Sequence, residues 1–128
     1  MRKGLTRSED PSTIRRAGPL RVLFICSRNR RRSPTAEAVF SGRDDLEAAS
    51  AGLAPDAEEV VTAATLEWAD MIFVMEKVHR ARLQRRFAPH IRHARIVCLD
   101  IPDRYEFMDE ALVRRLEAAV SPLLRQRG

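Results

Sequence analysis

Cys26, Arg32 and Ser33 are the residues of this chain whose types and spacing most directly carry chemistry. A cysteine attacks as its thiolate, and unpaired backbone amides or guanidinium groups held beside it favour thiolate over thiol. Between Cys26 and Arg32 the sequence reads Ser27-Arg28-Asn29-Arg30-Arg31, polar and cationic throughout. A doubly charged oxyanion fits there, next to a nucleophilic sulfur. The stretch contains no glycine, and the Gly-x-x-x-x-Gly-Lys-Ser/Thr pattern of nucleotide-binding loops is missing, which argues against nucleotide hydrolysis.

The flanking elements must present both ends of this stretch to one centre. Residues 22–25 (Val-Leu-Phe-Ile) form an apolar, β-branched and aromatic run typical of a buried strand. Ser33 suits a helix N-cap, Pro34 suits the first helical position, and Ala36, Glu37 and Ala38 favour helix after it. The order is therefore strand, loop, helix, and the loop ends on the helix amides that lack internal partners and attract anions. Taken singly, Cys26 has the plainer reading of a core residue and the arginines that of a solvated patch. Neither explains why a polar loop, an arginine six positions on and a Ser-Pro helix start follow one another.

The run Val22-Leu23-Phe24-Ile25-Cys26-Ser27-Arg28-Asn29-Arg30-Arg31-Arg32-Ser33-Pro34-Thr35-Ala36-Glu37-Ala38 resembles the signature of the low-molecular-weight protein tyrosine phosphatases, Cys, five residues, Arg, Ser. Ser50-Ala51-Gly52, Ala69-Asp70 and Met75-Glu76-x-x-His79-Arg80 resemble the same family. The resemblance implies a three-layer α/β sandwich with a four-stranded parallel sheet in the order 2-1-3-4, the flavodoxin-like phosphotyrosine phosphatase I fold. It implies that Cys26 attacks phosphorus, Arg32 clamps two phosphoryl oxygens, Ser33 stabilises the thiolate and Asn29 holds the loop shape. Ser27, Arg28, Asn29, Arg30 and Arg31 then fall on the substrate side of the loop.

Expelling a phenolate requires a proton donor. Asp103 resembles the family's acid in its Asp-Pro-Tyr loop, with Arg104 where proline is usual, and Tyr105 would stack on the substrate ring. Asp100 is the alternative acid. The implied reaction is hydrolysis of a phosphomonoester, a phosphotyrosine protein or another substrate, through a phosphocysteine. No metal or cofactor is expected, and phosphate or sulfate should bind in the loop. The family's second loop cysteine is replaced by Arg31, which removes that route to a protective disulfide. Arsenate reduction on this fold needs cysteines to relay a disulfide, and only Cys98 remains.

The rest of the chain supplies the scaffold. Expected elements are a helix over 34–41, strands over 46–49, 71–75 and 95–99, a helix placing Val60, Val61, Ala64, Leu66 and Trp68 against the sheet, one opening at Glu76 and ended by Pro89, and a last one from Met108 or Asp109 to Leu123 or Leu124. His79 is read as a helix-surface or loop-buttressing residue and Cys98 as a buried apolar one. Alternating strands and helices imply a parallel sheet, with ligands at the carboxyl ends of the strands. Segment 53–67 is shorter than the family's corresponding insertion, which leaves specificity open.

With 128 residues and 45% hydrophobic residues, one domain over 19–128 is expected, after a flexible basic tail over 1–18. The net charge of +5 points to anionic partners, and a phosphate- or RNA-binding module without turnover is the alternative function, although nucleic acid is not favoured. Two cysteines at no metal-ligand spacing and without a disulfide framework point to a cytoplasmic setting. No apolar run approaches the roughly 20 residues that span a bilayer.

Overall fold

The computed structural model describes residues 18–126, so the tail expected at the N-terminus lies outside the described residues apart from Gly18. Eight elements follow one another: β1 (Leu20–Cys26), α1 (Arg32–Phe40), β2 (Leu46–Gly52), α2 (Ala63–Trp68), β3 (Met71–Val74), α3 (Lys77–Ile91), β4 (Arg95–Cys98) and α4 (Glu110–Gln126). The four strands form one parallel sheet in the order β2-β1-β3-β4. This is the expected topology.

β1 is central because it is apolar on both sides. Its odd and even residues face opposite layers. Val22, Phe24 and Cys26 join α1 and α4 in one core with Phe40, Leu112, Leu116 and Val120. Leu23 and Ile25 join α2 and α3 in the other with Leu66, Ile72, Val74 and Leu83. Phe24 anchors the first core, stacked between Phe40 and Phe73 with centroids 5.7 and 5.4 Å away. Strand parity thus sets Cys26 on the α1 face, at the carboxyl end of the middle of the sheet.

Several boundaries differ from expectation for physical reasons. α1 begins at Arg32, so Ser33 is not the N-cap. Arg31 takes that position without a side-chain cap bond, and the Ser33 hydroxyl lies against Cys26 instead. β2 continues through Ser50, Ala51 and Gly52, since pairing with β1 runs to Cys26↔Gly52. Val60 and Val61 precede α2 rather than belong to it. Val60 bridges Gly52 and is exposed, while Val61 is buried. Ala64 is exposed, and Trp68 packs partly buried on the second core beneath Arg21. α3 runs past Pro89. Its backbone breaks at Phe87 (φ −133°, ψ 23°), which leaves proline in the first turn of the segment that follows, where its missing N–H costs little. No helix among the described residues is long and apolar enough to cross a membrane.

Candidate active site

The loop between β1 and α1 folds back around the sulfur of Cys26, which is 3% exposed. Asn29 makes the turn with φ 57°, a left-handed conformation that asparagine tolerates better than most residues. Its backbone N–H then donates to Cys26 Sγ at 3.2 Å. Ser33 Oγ lies 2.9 Å from the same sulfur. Asn29 Nδ2 donates to Ser33 Oγ and to Ser50 Oγ, both at 2.9 Å, and Ser50 in turn donates to Glu37 Oε1 at 2.5 Å. Because a thiolate can only accept, the Ser33 hydroxyl, which takes a hydrogen from Asn29, donates its own to the sulfur when Cys26 is ionised. Two donors therefore converge on Cys26.

Arg32 is buried to 3% exposure, which an arginine tolerates only when its donors are partnered. One terminal nitrogen, Nη1, donates to Glu76 Oε2 at 2.5 Å and to the Ile101 carbonyl at 2.8 Å, and Nε lies 3.6 Å from Asp103 Oδ1. Glu76 is the N-cap of α3. Its side chain accepts from the His79 amide while the Glu76 amide donates to His79 Nδ1 at 3.0 Å, a reciprocal cap. Since Nδ1 accepts, the neutral ring carries its proton on Nε2, which donates to Ser27 Oγ at 3.1 Å. Burial, with the positive charge of Arg32 next, lowers the His79 pKa to about 4, so the ring is neutral near pH 7. His79 is fully buried, so it buttresses the loop and does not sit on the helix surface.

The far side of the loop is laced to the segment after β2. Leu53, Ala54 and Glu58 donate backbone hydrogen bonds to the carbonyls of Cys26, Ser27 and Arg28 at 3.0, 2.8 and 3.0 Å. Gly52 makes this approach feasible: a Cβ there would lie 2.5 Å from the Ser27 carbonyl oxygen and 3.0 Å from the Asn29 nitrogen. On the near side, the Met108 amide donates to Thr35 Oγ1 at 2.9 Å, which ties the Asp103 segment to α1.

Cys26, Arg28, Arg30, Arg31, Arg32 and Asp103 line one open cleft of about 180 Å³. Ser33 and Asn29 stand behind it as supports. Ser27 turns its hydroxyl to His79, away from the cleft. Tyr105 packs on the first core and its hydroxyl accepts from Arg115 at 3.1 Å, so its ring does not line the cleft either. That bond, with hydrogen bonding from Arg104 next, lowers the phenol below its ordinary pKa. Asp100 adopts φ 56° and faces Cys98 Sγ at 3.6 Å, also outside the cleft. Cys98 is only partly buried, on the opposite core face from Cys26 and two strands away, about 10 Å by strand spacing, which is beyond disulfide reach.

Glu76 and Glu37 escaped the sequence reading as parts of the site. The Glu76-x-x-His79 spacing of a reciprocal cap was the available signal for the first. For Glu37 none existed, because its partner Ser50 arrives through strand pairing.

No family model matches the sequence, and no curated protein is significantly similar to it. Solved structures are. The low-molecular-weight protein tyrosine phosphatase from T. tengcongensis superposes with TM-score 0.70 at 21% identity, over 84% of this chain and 99% of the other. Wzb from Vibrio vulnificus, solved with benzylphosphonate, gives 0.68 at 25% identity, over 85% and 99%. The YwlE arginine phosphatase from Geobacillus stearothermophilus gives 0.70 at 22% identity, over 84% and 92%. The chain has the fold of the low-molecular-weight protein tyrosine phosphatases.

Proposed function

We propose that this protein is a cysteine-dependent phosphomonoester hydrolase, with phosphotyrosine-type aryl phosphates as its simplest substrates. The observation that carries this reading is the convergence of Ser33 Oγ and the Asn29 amide on Cys26 Sγ, in the same cleft as Arg32 and Asp103. The thiolate attacks phosphorus and the P–O bond to the leaving group breaks, while Asp103 gives its proton to the departing oxygen. Arg32 and the loop amides hold the equatorial oxygens, where charge spreads in the transition state. Water then attacks the phosphocysteine and gives a proton to the Asp103 carboxylate. The S–P bond breaks, and phosphate and thiolate are released. Glu76 and the Ile101 carbonyl keep the Arg32 fork in one orientation throughout. Both described cysteines are free, which suits a reducing, cytoplasmic setting.

The test is kinetic. Cys26→Ser should abolish turnover of p-nitrophenyl phosphate, and undiminished turnover would sink the proposal. Asp103→Asn should slow phenyl phosphate by about a hundredfold or more while slowing p-nitrophenyl phosphate far less, since only the poorer leaving group needs the proton. Equal slowing of the two assigns the proton to another group. The exposed arginines favour a second reading, a module that binds phosphate or RNA without turnover. Absence of phosphate release in a single turnover, with RNA affinity that falls steeply with salt, would establish that one.

A further inference from the structure

Arg32 and the amides at the head of α1 already serve one phosphoryl group, yet three more guanidinium groups line the same cleft. Arg28, Arg30 and Arg31 are 61, 48 and 49% exposed. Among the described residues each stands near one acid: Arg28 at 3.9 Å from Asp56, Arg30 at 3.6 Å from Glu58 and Arg31 at 3.9 Å from Glu106. Those acids are themselves 59 to 82% exposed and do not line the cleft. Exposed ion pairs at such distances contribute little, so an incoming anion displaces them readily. The acids also show the layout. Arg28 and Arg30 lean toward the segment after β2 and Arg31 toward the segment before α4, so positive charge flanks the cleft on two sides.

The walls match this. Among the described residues no aromatic side chain lines the cleft, and Tyr105 is engaged with Arg115 and Arg104. A guanidinium can stack on an aryl ring, as Arg104 does on Tyr105, but three of them also present hydrogen-bond donors that a neutral ring leaves unanswered. We infer that the natural substrate is a phosphomonoester whose leaving group carries a second anionic group, a carboxylate or a further phosphate, engaged by Arg28, Arg30 and Arg31. The same rim disfavours a cationic leaving group such as a phosphorylated arginine. This inference rests on the hydrolase reading of the cleft and names its substrate class.

Binding of non-hydrolysable phosphonates to the unmodified protein tests it by calorimetry, independently of turnover. Benzylphosphonate is compared with its para-carboxylate and para-phosphonate derivatives. The second anion should tighten binding about tenfold or more. A gain below about twofold overturns the inference. The preference should also shrink as ionic strength rises from about 0.02 to about 0.5 M, and a salt-indifferent preference counts against the arginines. In Arg30→Gln/Arg31→Gln the ratio of affinities should fall toward parity. A ratio that survives in the folded variant overturns the assignment, and the salt series decides if that variant does not fold. A peptide bearing phosphonomethyl-phenylalanine between glutamates separates an acidic peptide from a small bisphosphate as the source of the second anion. Turnover of p-nitrophenyl phosphate, measured alongside, bears on the hydrolase reading alone: its absence removes that reading while the affinity ratio still decides the anion preference.

Discussion

A buried neutral histidine holds the cleft from behind. His79 takes a hydrogen from the Glu76 amide and gives one to Ser27, so protonation would place a second donor against an amide and a cation beside Arg32. Its folded pKa of about 4 lies below the unfolded value near 6.5. Between those values the unfolded chain binds a proton that the folded chain refuses, so the stabilisation is complete above about pH 6.5 and is lost as pH falls toward 4. Urea midpoints measured over that window should therefore decline with falling pH. His79→Gln should be less stable at pH 7 and should show a flatter slope there. An unchanged slope in the variant would assign the proton uptake to other groups.

Among the elements, the phosphate loop depends on β2 as much as on its own ends. Gly52 closes β2 directly opposite Cys26, and the Ser27 carbonyl and Asn29 amide press on the space where a side chain would begin. Gly52→Ala should push the Asn29 amide off the sulfur, at a cost of about 1–3 kcal/mol in stability and at least about tenfold in kcat/KM. Thermal denaturation and turnover of an aryl phosphate check both effects, and wild-type values would mean that the loop yields without loss. α1 shows the same interdependence. Its first turn lacks a side-chain cap: Arg31 holds the N-cap position, and Ser33, already inside the helix, turns its hydroxyl to Cys26. α3 compensates in the other direction, since its N-cap Glu76 also carries Arg32.

At the scale of the molecule, two cores on opposite faces of one four-stranded sheet hold these elements in register. Phe24 lies under the loop, fully buried and stacked between Phe40 of α1 and Phe73 of β3. Phe24→Ala should cost about 3–5 kcal/mol, a large share of the 5–15 kcal/mol typical of a domain, and urea denaturation should show it. A loss under about 1 kcal/mol would mean that the core closes over the cavity.

The sequence determined the strand-loop-helix unit, the position of Cys26 at the carboxyl end of its strand, the placing of Arg32 at the head of the helix and, through the family resemblance, the sheet order. The first three follow from local periodicity or short spacing. Only the tertiary structure decided what surrounds Arg32, whose partners Glu76 and Ile101 lie 44 and 69 residues away. It likewise decided that Gly52 abuts the loop, that Tyr105 turns to Arg115 and that Asp100 leaves the cleft while Asp103 lines it. Patterns of hydrophobicity and capping act over a turn or a strand, so they are legible in order along the chain. Contacts made by sheet pairing and loop return bring distant residues together, and no spacing in the sequence records them.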